Sequence, residues 1–112
     1  MKKKIAILGS TGSIGKTLIN IIKKDKKNFE IILLSADENY KELLKQAKLF
    51  NVKNLIITNN TSFNAIKKNK YSKKINIYNN FDTSIVFFYY SGIFNFYIFF
   101  KFNFFGDKFW MV

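Results

Sequence analysis

The stretch Lys4-Ile-Ala-Ile-Leu-Gly-Ser-Thr-Gly-Ser-Ile-Gly15 joins a short apolar run to three glycines at every third position. The apolar run predicts a buried strand, and the glycines predict a turn leading into a helix that begins near Ser13. In such a turn Gly9 allows the bend, Gly12 lets the backbone approach a ligand, and Gly15 lets the helix pack closely on the strand. Free N–H groups and the helix dipole favour an anion there. The stretch therefore predicts a phosphate-binding junction.

Strand and helix patterns alternate through the first two thirds of the chain. The sequence predicts strands at Lys4–Leu8, Phe29–Leu34 and Leu55–Thr58, and helices at Ser13–Lys24, Tyr40–Phe50 and Thr61–Lys68. This β-α-β-α-β-α order implies a parallel sheet. The predicted fold class is α/β, an incomplete Rossmann-type parallel sheet with an irregular aromatic-rich C-terminal tail. Residues 1–80 are predicted to form a partial dinucleotide-binding domain, and residues 81–112 form the tail.

Each helix has a predicted start and a predicted buried face. Asn39 and Thr61 are the predicted N-caps of the second and third helices. The buried face of the first helix is predicted to contain Ile14, Leu18, Ile21 and Ile22. The buried face of the second is predicted to contain Tyr40, Leu43, Leu44, Ala47 and Phe50.

The tail has a different composition. Eleven of the 14 phenylalanines lie between Phe81 and Phe109. Three interpretations of this segment are open: a membrane span, a further strand at Ser84–Tyr89 followed by irregular chain, or sequence produced by a shifted reading frame in AT-rich DNA.

Composition excludes several chemistries. The chain of 112 residues has no cysteine and no histidine, which excludes disulfides, thiol catalysis and histidine ligands. Its net charge is +12, but the lysines are spread along the chain without a recognisable nucleic-acid module, so no specific nucleic-acid partner is predicted. The apolar run Ile5–Leu8 is too short for a signal peptide, and a cytoplasmic location is predicted.

Three interpretations of the glycine turn are open. It can be a plain packing turn, or the loop of a nucleotide hydrolase, since Gly15-Lys16-Thr17 matches the end of that pattern although Ser10 stands where its first glycine belongs. It can also bind a dinucleotide. The diphosphate would then lie over Thr11, Gly12, Ser13 and Ile14.

The block Gly9-Ser-Thr-Gly-Ser-Ile-Gly15, together with Leu34-Ser-Ala36 and the segment from Leu44 to Phe50, resembles the N-terminal segment of 1-deoxy-D-xylulose 5-phosphate reductoisomerases. The resemblance covers about residues 1–78. It implies an NADPH- and divalent-metal-dependent enzyme of the non-mevalonate isoprenoid pathway, typically a homodimer, that makes 2-C-methyl-D-erythritol 4-phosphate. It implies cofactor contacts at Thr11, Gly12, Ser13, Ile14 and Asn39.

The chain departs from the family pattern at the second turn. The family usually reads Ala-Gly-Lys-Asn there, whereas this chain reads Ala36-Asp-Glu-Asn39. An acidic residue at this place hydrogen-bonds the ribose of NAD and repels the 2′-phosphate of NADP. Asp37 and Glu38 taken alone therefore favour NAD.

The second departure concerns the catalytic residues. No glutamate follows Glu42, and the last third contains only Asp82 and Asp107 as acidic residues. We therefore assign no catalytic residue and no metal ligand to this chain, and expect a truncated or frame-disrupted copy that retains part of the cofactor domain. The alternative is a small nucleotide-binding module whose aromatic tail contacts a membrane.

Overall fold

The computed structural model describes residues 3–69 and 73–80, and the backbone of residues 96–99. The strands are β1 Lys3–Ile7, β2 Phe29–Ala36, β3 Asn54–Ile57, β4 Asn76–Tyr78 and β5 Phe96–Phe99. The helices are α1 Ser13–Lys23, α2 Tyr40–Phe50 and α3 Asn60–Lys67, with a short 3-10 turn at Lys26–Asn28. No helix in the described ranges is long and apolar enough to cross a membrane.

The strands form one parallel sheet in the order β4-β3-β2-β1-β5. The α/β, Rossmann-type prediction is thus confirmed. Strands β2 to β4 extend outward on one side of β1, and β5 pairs with its other side. The strand order therefore reverses at β1, and ligands of open α/β sheets bind beside the strand ends at such a reversal.

The sheet is larger than the three strands expected from the sequence. The missed strand β4 has only three residues, and Ile77 is its single aliphatic residue. Three residues are too few to show the alternation by which a strand is predicted. Strand β5 lies within the aromatic run, where apolar residues follow one another without alternation. Strand β5 also lies in the tail that the sequence predicts to be irregular, so that prediction is wrong at Phe96–Phe99. The strand predicted at Ser84–Tyr89 lies outside the described residues.

The core lies between the helices and one face of the sheet. Ile5, Ile7, Leu55 and Ile57 from the strands pack with buried side chains of all three helices. Ala6 and Ile56, which alternate with these residues, are buried as well but do not belong to this cluster. The same holds for Leu33 of β2, which is next to the cluster residue Leu34. Strand alternation places them on the opposite face, so both faces of the central strands are removed from solvent.

The buried face of α1 agrees with the prediction at Leu18 and Ile22 and differs from it at Ile14 and Ile21. Gly15, Ile19 and Ile22 are buried, whereas Ile14 and Ile21 are 49% and 58% exposed. The close contact of Gly15 with the turn sets the rotation of the helix, and a glycine contributes nothing to an apolar pattern. On α2 the prediction is confirmed, because Leu43, Leu44 and Ala47 are buried and Tyr40 and Phe50 pack against the core.

Asparagine side chains cap α2 and α3. Asn39 Oδ1 accepts the N–H of Glu42 at 3.2 Å, which confirms the predicted cap. The cap of α3 is Asn59, whose Oδ1 accepts the N–H of Ser62 at 2.9 Å, and not Thr61. The helix therefore begins earlier than expected, because Asn59 precedes Thr61 and asparagine is the better N-cap of the two.

Candidate functional site

The glycine turn is fastened to the end of β2. The Gly9 N–H donates to the Ser35 carbonyl at 3.1 Å and to Ser35 Oγ at 2.9 Å. The Ser10 N–H donates to the same carbonyl at 2.9 Å. Gly9 has a φ of 78°, a value at which a Cβ is strained, which confirms its role in the bend. The turn is therefore held against the carboxyl end of β2.

Gly15 holds the first turn of α1 against this anchored segment. A Cβ placed on Gly15 would lie 2.6 Å from Ser10 Cα and would overlap the Gly9 carbonyl oxygen. Both are backbone atoms that the hydrogen bonds to Ser35 keep in place. The close approach predicted for Gly15 is thus confirmed, and it directs the start of α1 toward the turn.

Several backbone N–H groups of the turn and of the first residues of α1 have no hydrogen-bond acceptor among the described residues. Within the part of the chain that the structure describes, no acceptor faces the backbone N–H groups of Thr11, Ser13, Ile14 and Gly15, and no side chain caps α1. The Gly12 N–H instead bonds the Gly9 carbonyl at 3.2 Å. Ser13 and Ile14 are exposed, and Thr11 and Gly12 are half-buried. Neighbouring N–H donors without acceptors at a helix start favour an anion, and those of Ser13 and Ile14 belong to exposed residues.

The second turn of the site follows β2. Its three polar residues Asp37, Glu38 and Asn39 are all exposed. The Thr58 hydroxyl donates to Asp37 Oδ1 at 2.6 Å, and the Asn59 N–H donates to the Asp37 carbonyl at 3.0 Å. Because β1 and β2 are adjacent and parallel, this turn and the glycine turn lie at the same edge of the sheet.

The structure brings together the residues predicted to contact a cofactor. Thr11, Gly12, Ser13 and Ile14 lie in one turn and the first residues of α1, and Asn39 lies in the adjacent turn. The structure adds three residues that sequence reasoning missed: Ser35, Gln46 and Thr58. Of these, only the burial of Gln46 could have been found from its helical spacing, three residues after the buried Leu43, and not its contact with Ser10.

The Thr17 hydroxyl bears on the hydrolase-loop interpretation of the turn. The Thr17 hydroxyl donates to the Ser13 carbonyl at 3.0 Å, within the helix, rather than facing the turn as the metal-binding hydroxyl of a nucleotide hydrolase does. Among residues 3–69 and 73–80 there is no group of three or more acidic residues, cysteines or histidines that could hold a metal ion.

Replacing Asn39 by alanine is expected to lower the free energy of unfolding by about 1 kcal/mol, because the Glu42 N–H loses its acceptor. Asn39→Asp is the control, since aspartate caps as well as asparagine does. Chemical denaturation measures both. If Asn39→Ala unfolds at the wild-type denaturant concentration, the cap contributes nothing.

The fold and the site together define a class of protein. A parallel sheet whose first strand leads through a glycine turn into an uncapped helix, beside the reversal in strand order, is the architecture of a Rossmann-type α/β segment. The model of the 1-deoxy-D-xylulose 5-phosphate reductoisomerase family matches residues 5–86. The chain belongs to the 1-deoxy-D-xylulose 5-phosphate reductoisomerase family.

Individual relatives show how much of that family the chain represents. The reductoisomerase of Pelagibacter ubique (strain HTCC1062) is 57% identical over 81 residues, which are 72% of this chain and 21% of the relative. That of Thermoanaerobacter sp. (strain X514) is 42% identical over 67 residues, which are 60% of this chain and 18% of the relative. The chain thus spans about a fifth of the length of the relatives it matches.

Solved structures agree with the fold. The reductoisomerase from Zymomonas mobilis in complex with NADPH superposes with a TM-score of 0.64 at 27% identity, covering 70% of this chain and 21% of that one. A second reductoisomerase structure, in complex with magnesium, superposes with a TM-score of 0.60 at 22% identity, covering 70% of this chain and 19% of the other. The second similarity supports the fold alone.

Proposed function

We propose that this chain binds the diphosphate and adenosine end of NADPH, as part of a 1-deoxy-D-xylulose 5-phosphate reductoisomerase. The single observation that carries the proposal is the group of unused backbone donors at Thr11, Ser13, Ile14 and Gly15. A diphosphate offers the negative oxygen acceptors that such donors need, and the helix dipole favours it. Family membership and the Zymomonas structure with NADPH support the identity of the cofactor.

In this proposal each part of the site has a separate role. The N–H groups of Ser13 and Ile14 bind phosphate oxygens, and Gly12 leaves room for the diphosphate. Asn39 Oδ1 is occupied by the helix cap, so its amide nitrogen remains for the adenosine end. Bound NADPH would supply the hydride for a reduction. The described residues include no group of acidic side chains, cysteines or histidines that could hold a metal ion.

The activity of the whole enzyme is proposed on family membership. It would convert 1-deoxy-D-xylulose 5-phosphate into 2-C-methyl-D-erythritol 4-phosphate, a step of non-mevalonate isoprenoid biosynthesis. No catalytic group is assigned to the described residues. A cytoplasmic location and a homodimer are proposed on the same basis.

Calorimetric titration of the 112-residue chain with NADPH tests the binding proposal. We expect saturable binding to the wild type, and competition by inorganic pyrophosphate because the diphosphate provides the contacts. Absence of heat at millimolar NADPH, with the chain shown to be folded by circular dichroism, would contradict it.

We further propose that the acidic second turn reduces the preference for NADPH over NADH. The Thr58 hydroxyl holds the Asp37 side chain at the turn, and Glu38 lies beside it in solvent. A carboxylate about 4 Å from a 2′-phosphate is repelled by about 1 kcal/mol per charge pair in water, and by more near a protein surface. The 2′-hydroxyl of NADH carries no such charge.

Replacing Glu38 by lysine is therefore expected to raise the ratio of NADPH to NADH affinity roughly tenfold or more, since one repulsion becomes an attraction. The measurement is the Kd of each nucleotide for wild type and variant. Glu30→Lys is the matched control, because exposed Glu30 lies near the amino end of β2, away from the turns. A strong wild-type preference for NADPH, unchanged in Glu38→Lys, would refute the effect of the acidic turn.

A further inference from the structure

A glutamine of α2 contacts the glycine turn from inside the protein. Gln46 is 3% exposed, and its Nε2 donates to the Ser10 carbonyl at 2.9 Å. A carbonyl oxygen can only accept, so the amide nitrogen must face it. Ser10 itself is fully buried, and its N–H is bound by the Ser35 carbonyl. The two residues are 36 positions apart in sequence, and their hydrogen bond joins α2 directly to the glycine turn.

This contact determines the orientation of one peptide unit. In a trans peptide the carbonyl of one residue and the N–H of the next point in opposite directions. The Ser10 carbonyl points to Gln46, so the Thr11 N–H points away from α2. That N–H has no acceptor among the described residues, as is also the case for Ser13 and Ile14. A rotated peptide would instead direct a carbonyl oxygen toward a bound anion and repel it.

We infer that Gln46 is a positioning residue of the cofactor site: by binding the Ser10 carbonyl it directs the Thr11 N–H toward the diphosphate. The inference rests on the proposed dinucleotide function. Gln46 acts through the backbone of the turn and does not contact the cofactor itself.

The amide oxygen of Gln46 helps to distinguish an effect of this residue on the orientation of the turn from an effect on protein stability. Gln46 Oε1 is buried and has no hydrogen-bond partner in the described part of the chain. An unpaired buried polar atom is destabilising, so an apolar side chain of similar size removes one unfavourable group, but it also leaves the buried Ser10 carbonyl without its donor. Because these two effects oppose each other, Gln46→Met is expected to lower the unfolding midpoint only modestly and to leave the chain folded.

Gln46→Met is expected to bind NADPH about five- to tenfold more weakly than the wild type, the range expected for losing the preorganisation that one neutral hydrogen bond provides. Two measurements on the full chain test this, calorimetric Kd and the ¹⁵N chemical shift change of the Thr11 amide on adding NADPH. We expect a large Thr11 shift in the wild type and a much smaller one in the variant. Asn64→Met, an exposed neutral site on α3, is the matched control and should bind as the wild type does.

Each outcome decides between the alternatives. Equal affinity and an equal Thr11 shift in wild type and Gln46→Met overturn the inference and leave the dinucleotide function intact. A large drop in the unfolding midpoint, with binding lost in proportion to the folded fraction, also overturns it, because Gln46 would then act through stability. A folded wild type that binds no NADPH contradicts the proposed function and the inference with it.

Discussion

Gly15→Ala is expected to lower the free energy of unfolding by about 3 kcal/mol or more, and to abolish cofactor binding. Alanine in a helix normally stabilises by about 1 kcal/mol relative to glycine, so helix propensity alone gives the opposite sign. Steric overlap dominates because the new Cβ would meet Ser10 Cα at 2.6 Å, together with the Gly9 carbonyl oxygen. These backbone atoms are held by Ser35 and cannot move without breaking the turn.

Denaturant unfolding followed by circular dichroism measures the effect of Gly15→Ala. Lys16→Ala is the matched control, since it introduces the same residue at an exposed position one step along α1. We expect Lys16→Ala to change stability by less than about 0.5 kcal/mol. A Gly15→Ala chain as stable as this control would show that α1 does not contact the turn as described.

Ser13→Pro is expected to weaken NADPH binding by about tenfold to a hundredfold while the chain stays folded. Ser13 is the first residue of α1, where proline fits because the missing N–H has no partner within the helix. Gly12 precedes it with φ −76° and ψ 175°, an extended conformation that a following proline favours. The substitution therefore removes one donor without breaking the helix, and a hydrogen bond to a charged group contributes about 1.5–3 kcal/mol.

Ser13→Ala separates the backbone donor from the side chain. It removes the exposed hydroxyl and keeps the N–H, so its Kd for NADPH should remain much closer to that of the wild type. Comparing the three Kd values is the measurement. If Ser13→Pro and Ser13→Ala lose the same affinity, the hydroxyl and not the backbone N–H binds the phosphate, which contradicts the proposed role of the turn.

The site could be predicted where backbone requirements determine the residue type. Glycine is favoured at the positive φ of Gly9, and the close approach at Gly15 leaves no room for a Cβ, so the spacing of these residues reports geometry directly. The cap at Asn39 could be predicted for the same reason, since few side chains satisfy a free N–H at a helix start.

What the sequence did not reveal depends on contacts between distant segments. The sequence pattern could not show that Ile14 and Ile21 lie on the exposed side of α1. The buried side is marked by a glycine, which does not contribute to a hydrophobic pattern. The bonds from Gln46 to Ser10 and from Thr58 to Asp37 join residues 36 and 21 positions apart. No local pattern encodes such pairs, because they exist only once the strands have assembled.

The most direct test of the account follows the backbone amides of residues 9–15 by ¹⁵N NMR while NADPH is added to the folded chain. We expect the largest shifts at Thr11, Ser13, Ile14 and Gly15, whose donors are unused, and smaller shifts at Gly9 and Ser10, whose donors are bound to Ser35. Saturation with no shift in residues 9–15, or with shifts confined to another part of the chain, would contradict the assignment of this turn as the diphosphate site.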